Sequence, residues 1–171
     1  MYQQLDEWVA VDGLLGGSLD DTGNDLGSLV GEPRGGYAVD LAAYTPFTHR
    51  IIGCAMRVHG LLGTGFPEVI YQRALGIELE REGVAAQREV ETPIYFRGHH
   101  IGTRCVDFLV AGPLPEQPIL VELKATAELT EPHFAQVINY LEAYRLHVGL
   151  LLNFGSPALQ YRRFIKTSFA T

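Results

Sequence analysis

Two residues of opposite charge interrupt an aliphatic run in Ile119-Leu120-Val121-Glu122-Leu123-Lys124. Side chains alternate along a strand, so Glu122 and Lys124 emerge on one face, about 7 Å apart, with Val121 and Leu123 on the other. Ionisable groups are seldom set into such a strand unless they pair, bind a metal or do chemistry. A carboxylate that ligates a cation beside an amine that orients or deprotonates a water is equipment for phosphodiester hydrolysis: the cation offsets charge on the phosphate and the base positions the nucleophile. Mg2+ keeps several of its waters, so one to three carboxylates suffice to hold it. Asp107, on the preceding β segment, supplies a second acid, because same-face residues on hairpin-related strands approach to about 5 Å. A strand-end ion pair is the structural alternative for Glu122 and Lys124.

The elements that must position these groups follow from periodicity. Ile51, Ile52, Ala55, Val58, Leu61 and Leu62 recur at helical spacing, with Thr45 or Thr48 as the cap and Gly63-Thr64-Gly65 as the stop. A second helix is expected from Phe66 to Glu82. Glu68, Tyr71, Leu75 and Leu79 fall on one of its faces, and Phe66, Ile70, Ala74 and Ile77 form a second apolar face, which predicts a sandwiched helix with Glu68 pointing inward. Val90–Phe96 and Ile101–Val110 read as a hairpin around Arg97-Gly98-His99-His100, with Cys105, Asp107 and Leu109 on one face. After the strand that carries Glu122, Thr130 caps a helix whose apolar stripe is Phe134, Val137, Ile138 and Leu141; His133, Gln136 and Tyr140 form the adjacent polar stripe. Val148–Phe154 and Leu159–Ile165 are the closing strands. Strands on either side of a helix predict an α/β (α+β) domain with a mixed central sheet flanked by helices.

In this order the motifs become specific. Asp107, followed after fourteen residues by Glu122-Leu123-Lys124 in an αβββαβ arrangement, resembles the PD-(D/E)XK nuclease superfamily and its restriction-endonuclease-like core. Gln136-x-x-x-Tyr140 is similar to the Q-x-x-x-Y element of RecB-like members. Gly65-Phe66-Pro67-Glu68-Val69-Ile70-Tyr71 resembles the element that names the GxxExxY family, as Gly149–Gly155 resembles its late strand, and His133 stands three residues before the glutamine, as in many members. The resemblance covers residues 46 to 166 and implies a divalent-metal-dependent nuclease acting on DNA with Mg2+ or Mn2+. It implies Asp107, Glu122, the Leu123 backbone carbonyl and Glu68 as metal ligands and Lys124 as the catalytic lysine. Gln136 and Tyr140, with Tyr71 and His133, would orient the site or contact the nucleic acid. Val106 replaces the proline that conventionally precedes the first aspartate.

The net charge of −7 is concentrated in the first 45 residues, where Arg34 is the single base against eight acids. The remainder is neutral, with twelve bases and twelve acids, which neither advertises nor excludes a nucleic-acid partner, since a local basic groove is what matters. Residues 1 to 44 are expected to be an acidic, Gly-rich arm, and residues 45 to 171 the nuclease-like domain. The arm reads as a linker with apolar islands. It would pack on its own core, oligomerise the chain by adding to a neighbouring copy, or cover the site as a phosphate mimic. The oligomerising arm underlies the alternative function, a non-catalytic nuclease-fold binding or assembly module. No apolar run approaches the roughly 20 residues of a membrane span, and no signal sequence opens the chain, so a cytoplasmic protein with no membrane partner is expected. Cys54 and Cys105 form no Cys-x-x-Cys pair and are expected to be reduced, buried small side chains.

Overall fold

Five strands and three helices build the domain in the computed structural model, which describes residues 8–14, 40–167 and 169; a sixth strand, β1 (Trp8–Leu14), comes from the N-terminal stretch. Helix α1 (Thr45–Leu62) has proline in its first turn, and helix α2 (Glu68–Arg81) follows after the Gly63–Pro67 loop. Strands β2 (Ala86–Phe96), β3 (His99–Val110) and β4 (Ile119–Lys124) run antiparallel in succession. Helix α3 (Glu131–Tyr144) then crosses over to β5 (Val148–Asn153), which lies parallel to β4, and β6 (Gln160–Lys166) returns antiparallel. A parallel neighbour requires such a crossover, because a tight turn can only return the chain antiparallel. The strand order is β1-β6-β5-β4-β3-β2, so β4 and β5 are central.

Both faces of the sheet are covered, and alternation along β4 and β5 assigns them. Val121, Leu123, Leu150 and Leu152 belong to the larger core beneath α1 and α2. Leu120 and Leu151 belong to the smaller core beneath α3, with Val137 and Leu141. Helix α3 lies so close to β5 that a Cβ on Gly149 would come within 3.1 Å of Val137 and 3.2 Å of Leu141. By the same alternation Glu122 and Lys124 share the face of Leu120, which is why α3 can reach them.

The structure corrects four expectations, three about the elements and one about Cys105, which was expected to be buried and is exposed. Tyr44 rather than Thr45 or Thr48 holds the N-cap of α1, and Thr48 is buried, donating its hydroxyl to the Thr45 carbonyl. Helix α2 is covered on one side: Tyr71, Gln72, Leu75 and Leu79 are buried, whereas Phe66 and Ile77 are exposed. The hairpin turn is the dipeptide Arg97-Gly98, both residues at positive φ, so β2 and β3 are longer than their hydrophobic signal. Trp8–Leu14 lies along β6 as an edge strand, with Trp8 opposite Lys166 and Leu14 opposite Gln160; of the rest of the expected arm, Leu41–Tyr44 form a 3-10 turn whose Tyr44 is buried in the larger core, and residues 1–7 and 15–39 lie outside the described residues. No described helix is long and apolar enough to cross a membrane.

Candidate active site

The site is made where two strands part. Strands β3 and β4 pair at Val110 with Ile119, Leu109 with Leu120 and Phe108 with Val121, and there the ladder ends. One further step would set Asp107 across from Glu122. Instead the strands splay, and the Asp107 carboxylate enters the fork, where its Oδ2 accepts the Leu123 N–H at 2.7 Å. The strand turns as it opens: Val106 packs in the core under α3, while Phe108, two residues on, packs under α1 and α2. Asp107 is therefore reached from both faces. From the α2 side Gln72 donates its Nε2 to Asp107 Oδ1 at 2.9 Å.

On the α3 side, Glu122 Oε1 accepts from Lys124 Nζ at 2.8 Å and from Gln136 Nε2 at 2.7 Å. Lys124 Nζ donates also to the Leu123 carbonyl at 2.9 Å. Gln136 is held in turn by Tyr140, whose hydroxyl lies 3.0 Å from Nε2 and donates to the Cys105 carbonyl. Glu122 is 4% exposed, and its second oxygen, Oε2, is buried with no hydrogen-bond partner. The far end of β4 is clamped by buried Asn153, whose side chain bonds both the N–H and the carbonyl of Thr126.

Electrostatics mark the cluster as short of positive charge. Burial pushes the Glu122 carboxyl up to about 7, with repulsion from Asp107 adding to it and Lys124 only partly offsetting it. Burial likewise raises Asp107, against the Leu123 and Gln72 hydrogen bonds that lower it. Glu68, at the first position of α2, is raised by burial, lowered by Lys124 and raised by Asp107, so it feels the same charges. Burial alone would depress the Lys124 ammonium, but Glu122, Glu68 and Asp107 together outweigh it, and its pKa is raised.

Of the residues expected to act, Asp107, Glu122, Lys124, Gln136 and Tyr140 converge, and Glu68 is near enough to feel the charges of Lys124 and Asp107. Tyr71 does not: it is fully buried, its ring stacks on Phe154, and its hydroxyl donates to the Gly63 carbonyl and accepts from the Phe66 N–H, fastening the loop that launches Glu68. His133 serves the start of α3, where Nδ1 accepts the Thr130 N–H. Lys124 is near enough to help lower the His133 pKa, after burial. Two residues were missed by sequence reasoning. Gln72 sits one turn after Glu68 and so shares its face, a signal within reach. Asn153 lies inside an aliphatic strand and carried no signal of its bonds to the neighbouring loop.

The oxygen donors suit a hard divalent cation, and the orphaned Glu122 Oε2 beside two further acids has the character of a ligand. Among the described residues, however, no group of three or more His, Cys, Asp or Glu side chains is arranged to hold a metal ion. Asp107 directs both oxygens to Gln72 and Leu123, and the Lys124 ammonium bonds Glu122 Oε1 and the Leu123 carbonyl.

A mixed sheet between helices, with acids gathered where its third and fourth strands diverge, defines an α/β domain of restriction-endonuclease-like fold. The chain belongs to the PD-(D/E)XK nuclease superfamily, whose sequence model matches residues 45–164. Among solved structures, the crystal structure of SSO0001 matches with a TM-score of 0.46 and 20% identity, over 60% of this chain and 52% of that chain, so the present chain spans about half of that protein's length. No curated protein sequence matches.

Proposed function

We propose that this chain is a divalent-metal-dependent nuclease that hydrolyses phosphodiester bonds in DNA at the fork between β3 and β4. The observation that carries the reading is the buried Glu122 carboxylate, with one oxygen unpartnered, two more acids beside it and a pKa of about 7. Burying an acid, with like charges beside it, is costly in a folded protein, and perturbed groups of this kind concentrate where chemistry is done. In this reading Glu68, Asp107, Glu122 and the Leu123 carbonyl hold Mg2+ or Mn2+, which when bound supplies charge neutralisation and a more acidic water. Lys124, kept protonated by its acidic surroundings, orients the attacking water and stabilises charge that builds on the phosphate oxygens. Gln136 fixes Glu122, Tyr140 fixes Gln136, and Gln72 fixes Asp107.

Within the superfamily we assign the chain to the GxxExxY group. The support is local: in Gly65–Tyr71 the glycine turns at φ +98°, Glu68 opens α2 toward the fork, and Tyr71 ties the intervening loop. The motif then works as one unit, a carboxylate and the brace that presents it.

Incubating the full chain with plasmid and single-stranded DNA in Mg2+ or Mn2+ tests the reading. Cutting that disappears in EDTA and in Lys124→Ala is expected. Cutting that survives Lys124→Ala removes this site from consideration, and absence of cutting with every metal and DNA form removes the activity.

A second reading, an assembly module, is favoured by Trp8–Leu14 lying along β6, since a strand that completes an edge in its own chain can complete a neighbour's. Size exclusion with light scattering decides it: a monomer at all concentrations ends the idea.

A further inference from the structure

Strand β3 has a neighbour on both sides only from Phe108 to Val110; from Val106 to the turn it pairs with β2 alone, so Val90–Val106 forms a two-stranded ribbon. Its base is tied to α3, where Tyr140 bonds the Cys105 carbonyl and Tyr144 the Val90 carbonyl. Beyond those bonds most of its residues are exposed. At about 3.4 Å per residue, the ribbon reaches about 30 Å from Asp107 to Gly98. It is a long arm rooted in the site.

Its surface has a chemical bias. Between Val90 and Val106 there are two arginines, two histidines and one acid, Glu91 at its base, although the domain around it is neutral. Tyr95 and Phe96 at the tip are 62% and 61% exposed, large aromatic surfaces turned mostly to solvent. The Arg97 guanidinium lies over the Phe96 ring at 5.5 Å from its centroid, and Tyr95 meets His100 edge-on. Exposed rings interleaved with cations are what a flexible polyanion with accessible bases engages: stacking tolerates any base, and the cations meet the phosphates.

We infer that the β2–β3 ribbon is a binding arm for single-stranded nucleic acid, stacking bases on Tyr95 and Phe96 and meeting phosphates with Arg97 and Arg104, so that the strand is led along the ribbon to Asp107. The inference rests on the nuclease reading for its destination, and its test separates the two. Duplex DNA conceals its bases and gives the rings nothing to stack on, so the arm selects unpaired strands.

Fluorescence anisotropy of a labelled thymidine oligonucleotide with the full chain in EDTA, where no cutting intervenes, reads the arm directly. The oligonucleotide is expected to bind more tightly than a duplex of equal length. Combined Tyr95→Ala and Phe96→Ala weakens binding at least about tenfold. Combined Arg97→Ala and Arg104→Ala weakens it and flattens the slope of log affinity against log salt by about 1.4, the loss of two phosphate contacts on a single strand. Thermal melting of both variants stays as in the parent chain, because the substituted side chains lie on the exposed ribbon. Unchanged binding in both variants, a preference for duplex, or no binding by the parent chain overturns the proposal. If DNA is cut while the variants bind unchanged, the arm fails and the nuclease reading stands; ribbon-dependent binding with no cutting in Mg2+ or Mn2+ leaves the arm and removes the activity.

Discussion

Lys124 Nζ bridges Glu122 Oε1 at 2.8 Å and the Leu123 carbonyl oxygen at 2.9 Å, so the protein's own ammonium holds two oxygens that a divalent cation would use. In the proposed reading, cation and lysine therefore compete for the same donors. Lys124→Met should tighten Mn2+ binding about tenfold, the equivalent of about 1.5 kcal/mol for charge-assisted hydrogen bonds that need no longer be broken, while abolishing cutting. Titration calorimetry with Mn2+ measures it, and weaker binding in the variant would show that Lys124 helps to hold the ion.

Glu122 makes stability depend on pH in an unusual direction. Its carboxyl rises from 4.5 to about 7 on folding, chiefly through burial, so the folded chain holds this proton more tightly than the unfolded chain. The stabilisation is complete below the unfolded value and drains away as pH climbs through the folded one. In EDTA, Glu122→Gln should gain on the parent chain by roughly 2 to 3 kcal/mol between about pH 4.5 and about pH 8. Urea denaturation at both pH values checks it. A gain that does not depend on pH would assign the effect to packing. Added Mg2+ should raise the melting temperature of the parent chain at the higher pH and leave Glu122→Gln unmoved.

Gln136 donates to Glu122 without itself offering charge, which in the proposed site makes it a positioning residue. Gln136→Leu should lower cutting about 10- to 100-fold, as removal of an outer partner of a ligand does. Gln136→Glu tells positioning from simple space filling: it places a like charge against Glu122 and should weaken Mn2+ binding even though the volume is kept. Equal cutting in parent and Gln136→Leu would leave Gln136 as scaffold.

Two glycines predict opposite outcomes. A Cβ on Gly155 would stand 2.3 Å from the Thr126 carbonyl oxygen, inside the loop contact that anchors the end of β4, so Gly155→Ala should cost about 2 to 4 kcal/mol. A Cβ on Gly60, inside α1, meets nothing within 4 Å, and Gly60→Ala should stabilise by about 0.5 to 1 kcal/mol. Guanidinium unfolding of both variants measures the contrast.

These particulars also show what was legible in the sequence and what was not. The bounds of β4 follow from its residues, because Pro118 cannot extend the ladder and six aliphatic or alternating residues leave no other period, and the structure places the strand at Ile119–Lys124. A shared face anticipated that Asp107 would come near the Glu122–Lys124 strand, but not how: the strands part, and Asp107 bonds the Leu123 N–H in the fork. Periodicity gave α2 two apolar faces but could not say which the core would cover: Tyr71, Leu75 and Leu79 are buried, and Ile77 is exposed. Residues 86–89 and 99–100 carry little hydrophobic signal and join their strands only by pairing, a non-local fact. Trp8–Leu14 was hidden by acidic, glycine-rich surroundings, since its strand character comes from the β6 edge it meets. Gln72 and Asn153 act through amide hydrogen bonds, which leave no pattern in composition or spacing.

The fork has one more consequence, for deuterium exchange. Leu123 lies in a central strand, yet its amide proton is held by the Asp107 side chain rather than by a β3 carbonyl. Whatever claims Asp107 Oδ2, be it a proton or a cation, releases that single amide while the strand around it remains locked. The exchange rate at Leu123 is thus a built-in gauge of the state of the site, readable one residue at a time and without any substrate.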